Sequence, residues 1–139
     1  MRKPESLRAH LTAALPWLQA NPDRLLVFAD EGGIVSTEET GLSFEWRYTL
    51  NLIFTDLALH PDEIAVPLLG WVRENQSELM GNPERRDGIR FEADVLAGDK
   101  IDLSIKLPLT ERVGVHLQDG NHVVEHYAEP TWDEAFPSG

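Results

Sequence analysis

The chain of 139 residues contains no cysteine. This excludes disulfides, thiolate nucleophiles and cysteine-ligated metals, and it is compatible with a reducing compartment. No apolar run approaches the roughly 18 residues that a membrane-spanning helix needs. The opening MRKPESLRAHL lacks the apolar stretch of a secretory leader, so a cytosolic product with no membrane partner is expected. Basic residues are also scarce: 12 Lys and Arg against 24 Asp and Glu give a formal net charge of −12. Surfaces that grip a phosphate backbone gather Lys and Arg, so tight nucleic-acid binding is not expected. The negative excess favours solubility and repels DNA.

Motifs that carry chemistry are missing as well. Ser36, Ser43 and Ser104 lie outside any Gly-x-Ser-x-Gly context. Gly32-Gly33 is not followed by the Lys-Ser/Thr of a phosphate loop. His122 and His126 share a strand face, but four residues along a strand separate them by about 13 Å, too far for one ion; His116 facing His122 across a turn is the remaining pairing. His60 marks a helix entry. The acidic pairs Asp30/Glu31, Glu38/Glu39 and Asp62/Glu63 each fall at an expected turn or helix start, where solvation or the helix dipole accounts for them. Arg85-Arg86, between Glu84 and Asp87, reads as a local ion-pair loop. No enzyme, cofactor or metal is expected.

What the sequence does contain is pattern. In residues 42–57, LSFEWRYTLNLIFTDL, the side chains Phe44, Trp46, Tyr48, Leu50, Leu52 and Phe54 recur at every second position, with Glu45, Arg47, Thr49 and Asn51 between them. Strands alternate their faces, so this is a long strand with one apolar face that seeds the core. Before it, Leu7, Leu11, Ala14, Leu15 and Leu18 follow helical spacing; a helix is expected over residues 4–15, ended or kinked by Pro16. A turn follows at residues 21–23. Residues 24–29, RLLVFA, and 34–37, IVST, read as two short strands of a hairpin joined at Asp30-Glu31-Gly32-Gly33.

After the long strand, His60-Pro61-Asp62-Glu63 is a helix start. Ile64, Leu68, Leu69, Trp71 and Val72 form its apolar face to about Asn75, with Pro67 as a defect that kinks the helix or moves its start later. Ile89, Phe91, Ala93 and Val95 alternate with Arg90, Glu92 and Asp94, and Ile101, Leu103, Ile105 and Leu107 alternate beyond a turn at residues 97–100. This is a hairpin. Pro108 argues against continued pairing, with a strand resuming over residues 113–117 and another over 122–127 after the turn at 118–121. The sum is two helices and about seven strands. The expectation is a single α+β domain over residues 1–128, with a mostly antiparallel sheet and the helices on one face. Residues 129–139 are expected to form a loosely ordered tail; the alternative is that Trp132 and Phe136 dock on a neighbour.

The segments KPESLRAHLTAALPWL, NPDRLLVFAD, FEWRYTLNLIFTDL, HPDEIAVPLLGWVRENQSELMGNPERRDGIRFEADVL and IDLSIKLPLTERV occur in that order between residues 3 and 115. As an ordered set they resemble the tail completion protein R family of contractile-tailed phages of the peduovirus type and of related prophages. The resemblance implies a virion structural protein that acts late in tail assembly at the head-proximal end. It implies a tail-terminator-like fold that forms a hexameric ring. As partners it implies the tail tube and sheath proteins and a neck or connector protein, and it implies passive passage of DNA. It implies the host cytoplasm during assembly and the virion tail afterwards, and it brings no catalytic residues. On that footing Asp30, Glu31, Glu38 and Glu39 are expected toward the lumen or end face of the ring. The competing readings are a neck connector or head-completion adaptor that joins head to tail, and an acidic binding module that mimics the charge of DNA.

Overall fold

The computed structural model describes residues 1–82, 84 and 88–127. Its elements are α1 (Lys3–Ala14), α2 (Pro16–Ala20), a 3-10 turn (Pro22–Arg24), β1 (Leu25–Ser36), β2 (Phe44–Leu57), α3 (Pro61–Asn75), α4 (Glu78–Gly81), β3 (Arg90–Val95), β4 (Ile101–Gln118) and β5 (Asn121–Tyr127). All strands are antiparallel, in the order β1-β2-β4-β3, with β5 pairing the far half of β4 on the same side as β3. The architecture is α+β.

Local chemistry explains most boundaries. Proline has no N–H to offer a preceding turn, so α1 stops at Ala14 and the chain restarts as α2 with Pro16 in its first turn. His60 caps α3: its ring Nδ1 accepts the Asp62 N–H at 3.1 Å while the Glu63 carboxylate accepts the His60 N–H at 3.0 Å, a reciprocal cap that occupies two otherwise unpaired donors. Pro67 neither kinks α3 into two helices nor delays its start; the helix runs through it. Gly98 and Asp99 both have positive φ, as do Asp119 and Gly120, the geometry of tight hairpin turns that match strand twist.

Three expectations are corrected. Residues 30–33 do not reverse the chain. β1 is one strand, and both its halves pair with β2: Asp30 lies opposite Thr49 and Gly33 opposite Arg47. Three steps on β1 thus match two on β2, which is a β-bulge with Glu31 at φ 50. The hairpin closes instead through residues 37–43. β4 is likewise a single strand of 18 residues that carries Pro108 inside it, opposite Thr49. The seven expected strands are therefore five.

Pro108 is tolerated because of what flanks β4. Backbone polar groups alternate sides along a strand. The N–H and carbonyl of Thr110 meet Gln76 and Lys3 rather than β2, so Pro108, two residues earlier, also turns its donor-less nitrogen away from β2. On that side β3 pairs only as far as Lys106 and β5 begins at Arg112. The proline occupies the one stretch where no ladder bond is asked of it.

The core lies between the sheet and the helices. Leu7, Leu11, Leu18, Ile64, Trp71 and Val72 from the helices meet Tyr48, Leu50, Leu52 and Phe54 of β2 and Leu103, Ile105, Leu107 and Leu109 of β4. Burying each such side chain contributes about 1.5–3 kcal/mol. Phe44 and Trp46, at the start of β2, are only half-buried and stack edge-to-face with ring centres 5.5 Å apart. Leu69, placed by its spacing on the buried face of α3, is exposed. Leu26, Phe28, Asn51 and Ile53 point to the sheet's other face, because their cross-strand partners do; Asn51 is nonetheless buried, donating to the Asp30 carboxylate at 2.8 Å.

Candidate assembly surface

The described residues bring no catalytic constellation together. Ser36 Oγ donates to the Glu38 carbonyl at 3.0 Å, and Ser43 Oγ accepts the Val115 N–H at 2.9 Å; both hydroxyls hold backbone. Among the described residues no group of three or more His, Asp or Glu is placed to hold a metal, and no helix is long and apolar enough to cross a membrane. His116 lies opposite Val123, and His122 opposite Leu117, so the two rings project from opposite faces of the hairpin and the expected pairing across the turn does not form. His116 faces Glu125 instead, at 4.0 Å. The Arg85-Arg86 doublet and the tail with Trp132 and Phe136 lie outside the described residues.

The four singled-out acids sit in two places. Asp30 and Glu31 flank the bulge of β1, and Thr49 Oγ1 donates to Glu31 at 3.4 Å. Glu38 and Glu39 lie in the connector at the end of the β1–β2 hairpin, some eight residues along the chain and, at strand spacing, roughly 20 Å or more away. All four are exposed, and no Lys or Arg occurs between Arg24 and Arg47. Basic side chains share this face of the sheet: Arg47 lies opposite Gly33, Lys106 opposite Asn51 and Arg112 opposite Glu45, all three exposed.

A buried polar slot went unread in the sequence. Between the ends of β3 and β5, the side chain of Lys3 enters the gap beside β4 and donates to Gln76 Oε1 at 2.6 Å and to the Thr110 carbonyl at 2.5 Å. Gln76 Oε1 also accepts the Thr110 N–H at 3.1 Å, and its Nε2 donates to Thr110 Oγ1 at 3.1 Å. Beside it, Glu111 accepts from the Tyr48 hydroxyl at 2.5 Å and from the Arg2 N–H at 2.7 Å. Burial first, then the Glu111 hydrogen bond and charge, raise the Tyr48 pKa well above that of a free phenol. Buried charge is tolerated only when paired in this way. The slot replaces missing strand pairing with side chains. One signal was present: Glu111 is the only charge at the buried phase of β4, among Leu103, Ile105, Leu107, Leu109 and Val113.

Two further surfaces are apolar and exposed. β3 is an edge strand whose apolar face turns toward the helices but is left exposed. Phe91 is 71% exposed and Val95 85%. With Leu69, Ala65 and Ile89 it forms a trough of about 420 Å³ against α3, with Asp62 on its rim. At the other end of the sheet, β4 and β5 continue past Phe44, where β2 begins. They form a two-stranded arm, on which Leu117 is 68% exposed and Val124 54%. At the base of the arm the Tyr127 ring lies over Gly114, where a Cβ would meet it.

Among the described residues, the free edge at β1, the trough and the projecting arm are surfaces on which other protein parts can pack. The P2 phage tail completion protein R (GpR) family matches residues 1–130, and the chain belongs to this family. It is similar to the tail completion protein R of Escherichia phage P2, with 47% identity over 131 residues that cover 94% of this chain and 84% of the relative. No solved structure matches. Its role is structural, in the assembly that completes a phage tail.

Proposed function

We propose that the protein ends the tail at its head-proximal side as a closed ring, hexameric like a tail terminator, seated on the tube and sheath proteins and presenting the surface that a neck protein joins. The observation that carries this reading is the likeness to a tail completion protein over 94% of the chain. Assembly takes place in the host cytoplasm, and the protein then resides in the virion tail. DNA passes through the ring without being bound. Asp30, Glu31, Glu38 and Glu39 face the lumen or the end of the ring, where like charge keeps DNA from adhering. Copies meet through sheet edges or hairpins, since long unguarded edges invite pairing.

The test is add-back. Tails made without this protein are mixed with the purified chain, examined by electron microscopy, and then offered filled heads. Restoration of uniform tail length and of head joining is the expected result. Binding to the head portal alone, with tails unchanged, would transfer the protein to the neck, and normal virions from a deletion strain would end the reading. A ring structure that places all four acids on the outer rim would remove their assigned place.

A further inference from the structure

The trough and the arm are two exposed apolar features that belong to one strand. β4 carries the trough floor at Leu103 and Ile105 and the arm at Val115 and Leu117. Pairing register places both on the same face of the sheet: Phe91 lies beside Ile105, and Val124 beside Val115. Fourteen residues of strand from 103 to 117 separate them by roughly 45 Å, so one copy cannot fill its own trough with its own arm.

We propose that the β4–β5 arm of one copy docks its Val115, Leu117 and Val124 face in the α3–β3 trough of the next. The occupant is a second copy of this chain, and the proposal rests on the ring reading above. Contiguous exposed apolar surface marks contact sites, and here each of two such surfaces is matched in kind by the other. The contact is between different surfaces at opposite poles, which is the heterologous type that propagates head to tail and closes into a ring when its rotation allows.

Charge favours the same pairing. The trough rim at the start of α3 carries Asp62, next to Glu63. The docking face of the arm carries no acid and sets His122 and His126 on either side of Val124. In a chain of net charge −12, that face is a surface able to approach an acidic rim without repulsion.

The absence of cysteine supplies the test. Full-length Phe91→Cys and Leu117→Cys chains are mixed under mild oxidation, with and without tails lacking the native protein; Leu26→Cys, on the other face of the sheet, replaces Phe91→Cys as the control. Disulfides form only where Cα atoms come within about 7 Å. The expected result is a mixed Phe91→Cys/Leu117→Cys dimer at least tenfold above the control, and a ladder that stops at ring size when both cysteines are in one chain. Adding Val124→Asp, an exposed change, should abolish the ladder while circular dichroism stays unchanged. A mixed dimer no more abundant than the control in both conditions overturns the docking. Tails completed without any mixed disulfide would sink the docking and leave the collar reading standing; a ladder with no tail completion would do the reverse.

Discussion

Tyr48 donates its hydroxyl hydrogen to Glu111 across 2.5 Å, from β2 to β4, beneath the first turn of α1. Glu111 also fixes the Arg2 N–H. Replacing Glu111 with Ala leaves the buried Tyr48 hydroxyl and the partly buried Arg2 N–H without an acceptor and should cost about 2–4 kcal/mol, at the price of roughly 1–3 kcal/mol per unsatisfied group. Tyr48→Phe removes one donor to a charged acceptor and should cost about 1.5–3 kcal/mol. Urea unfolding monitored by Trp fluorescence measures both, and an effect below about 0.5 kcal/mol for Glu111→Ala would contradict the geometry.

The same contact has a pH signature. The phenol pKa is raised by folding, so its contribution is complete below about pH 10, the unfolded value, and declines as pH climbs above it, because only the unfolded chain releases the proton there. In a Tyr127→Phe background, tyrosinate absorbance should rise together with loss of ellipticity. A tyrosinate signal from a chain still folded would refute the buried assignment.

Lys3 and Pro108 should behave in opposite ways. Lys3→Met retains the apolar stem but strips donors from Gln76 and the Thr110 carbonyl, a loss of about 2 kcal/mol or more. Pro108→Ala restores an N–H that faces the same slot, not a neighbouring strand, and should shift stability by less than about 1 kcal/mol. If Pro108→Ala stabilised the chain as strongly as Lys3→Met destabilised it, the proline would be a strained residue in a ladder.

These contrasts show where the sequence was legible. Pro16, the His60-Pro61-Asp62-Glu63 cap, and the turns at Gly98-Asp99 and Asp119-Gly120 act through their own backbone chemistry, so they can be read from neighbours in the chain. The bulge at Glu31 and the passage of Pro108 through β4 depend on which strand lies alongside, which no local pattern contains. Period-two alternation in β3 predicted an apolar face correctly but not that the face would lie uncovered, since coverage depends on where α3 ends up. The acids of β1 and its connector were visible as charge. Lys3 and Glu111 were not recognised as a site because 107 and 109 residues separate Lys3 from Thr110 and Arg2 from Glu111.

Glu31 holds φ at 50° within the bulge, a region that costs a residue with a Cβ about 1–2 kcal/mol. Glu31→Gly should therefore stabilise the chain slightly or leave it unchanged despite the lost side chain, whereas Glu31→Val should destabilise it by more than 1 kcal/mol. Thermal midpoints of the two variants provide the comparison, and the reverse order would place the bulge elsewhere.

The α3 cap predicts non-additivity. His60→Ala and Glu63→Ala should each cost about 0.5–1 kcal/mol. The double variant should cost less than their sum, since each half of the reciprocal cap relies on the other's backbone placement. His60→Ser should retain most of the stability. Strict additivity in a double-mutant cycle would mean that the two hydrogen bonds form independently.

The polar slot also sets an order of events during synthesis. Lys3 leaves the ribosome more than a hundred residues ahead of Thr110, its partner at a separation of 107 positions, so the first helix can meet Gln76 and Trp71 midway but completes the anchoring of its leading end only when the final third of the polypeptide has emerged. Changes to the leading residues, including a fused affinity tag, should accordingly register as slow or incomplete closure at the opposite margin of the sheet, rather than as a local defect in the helix that bears them.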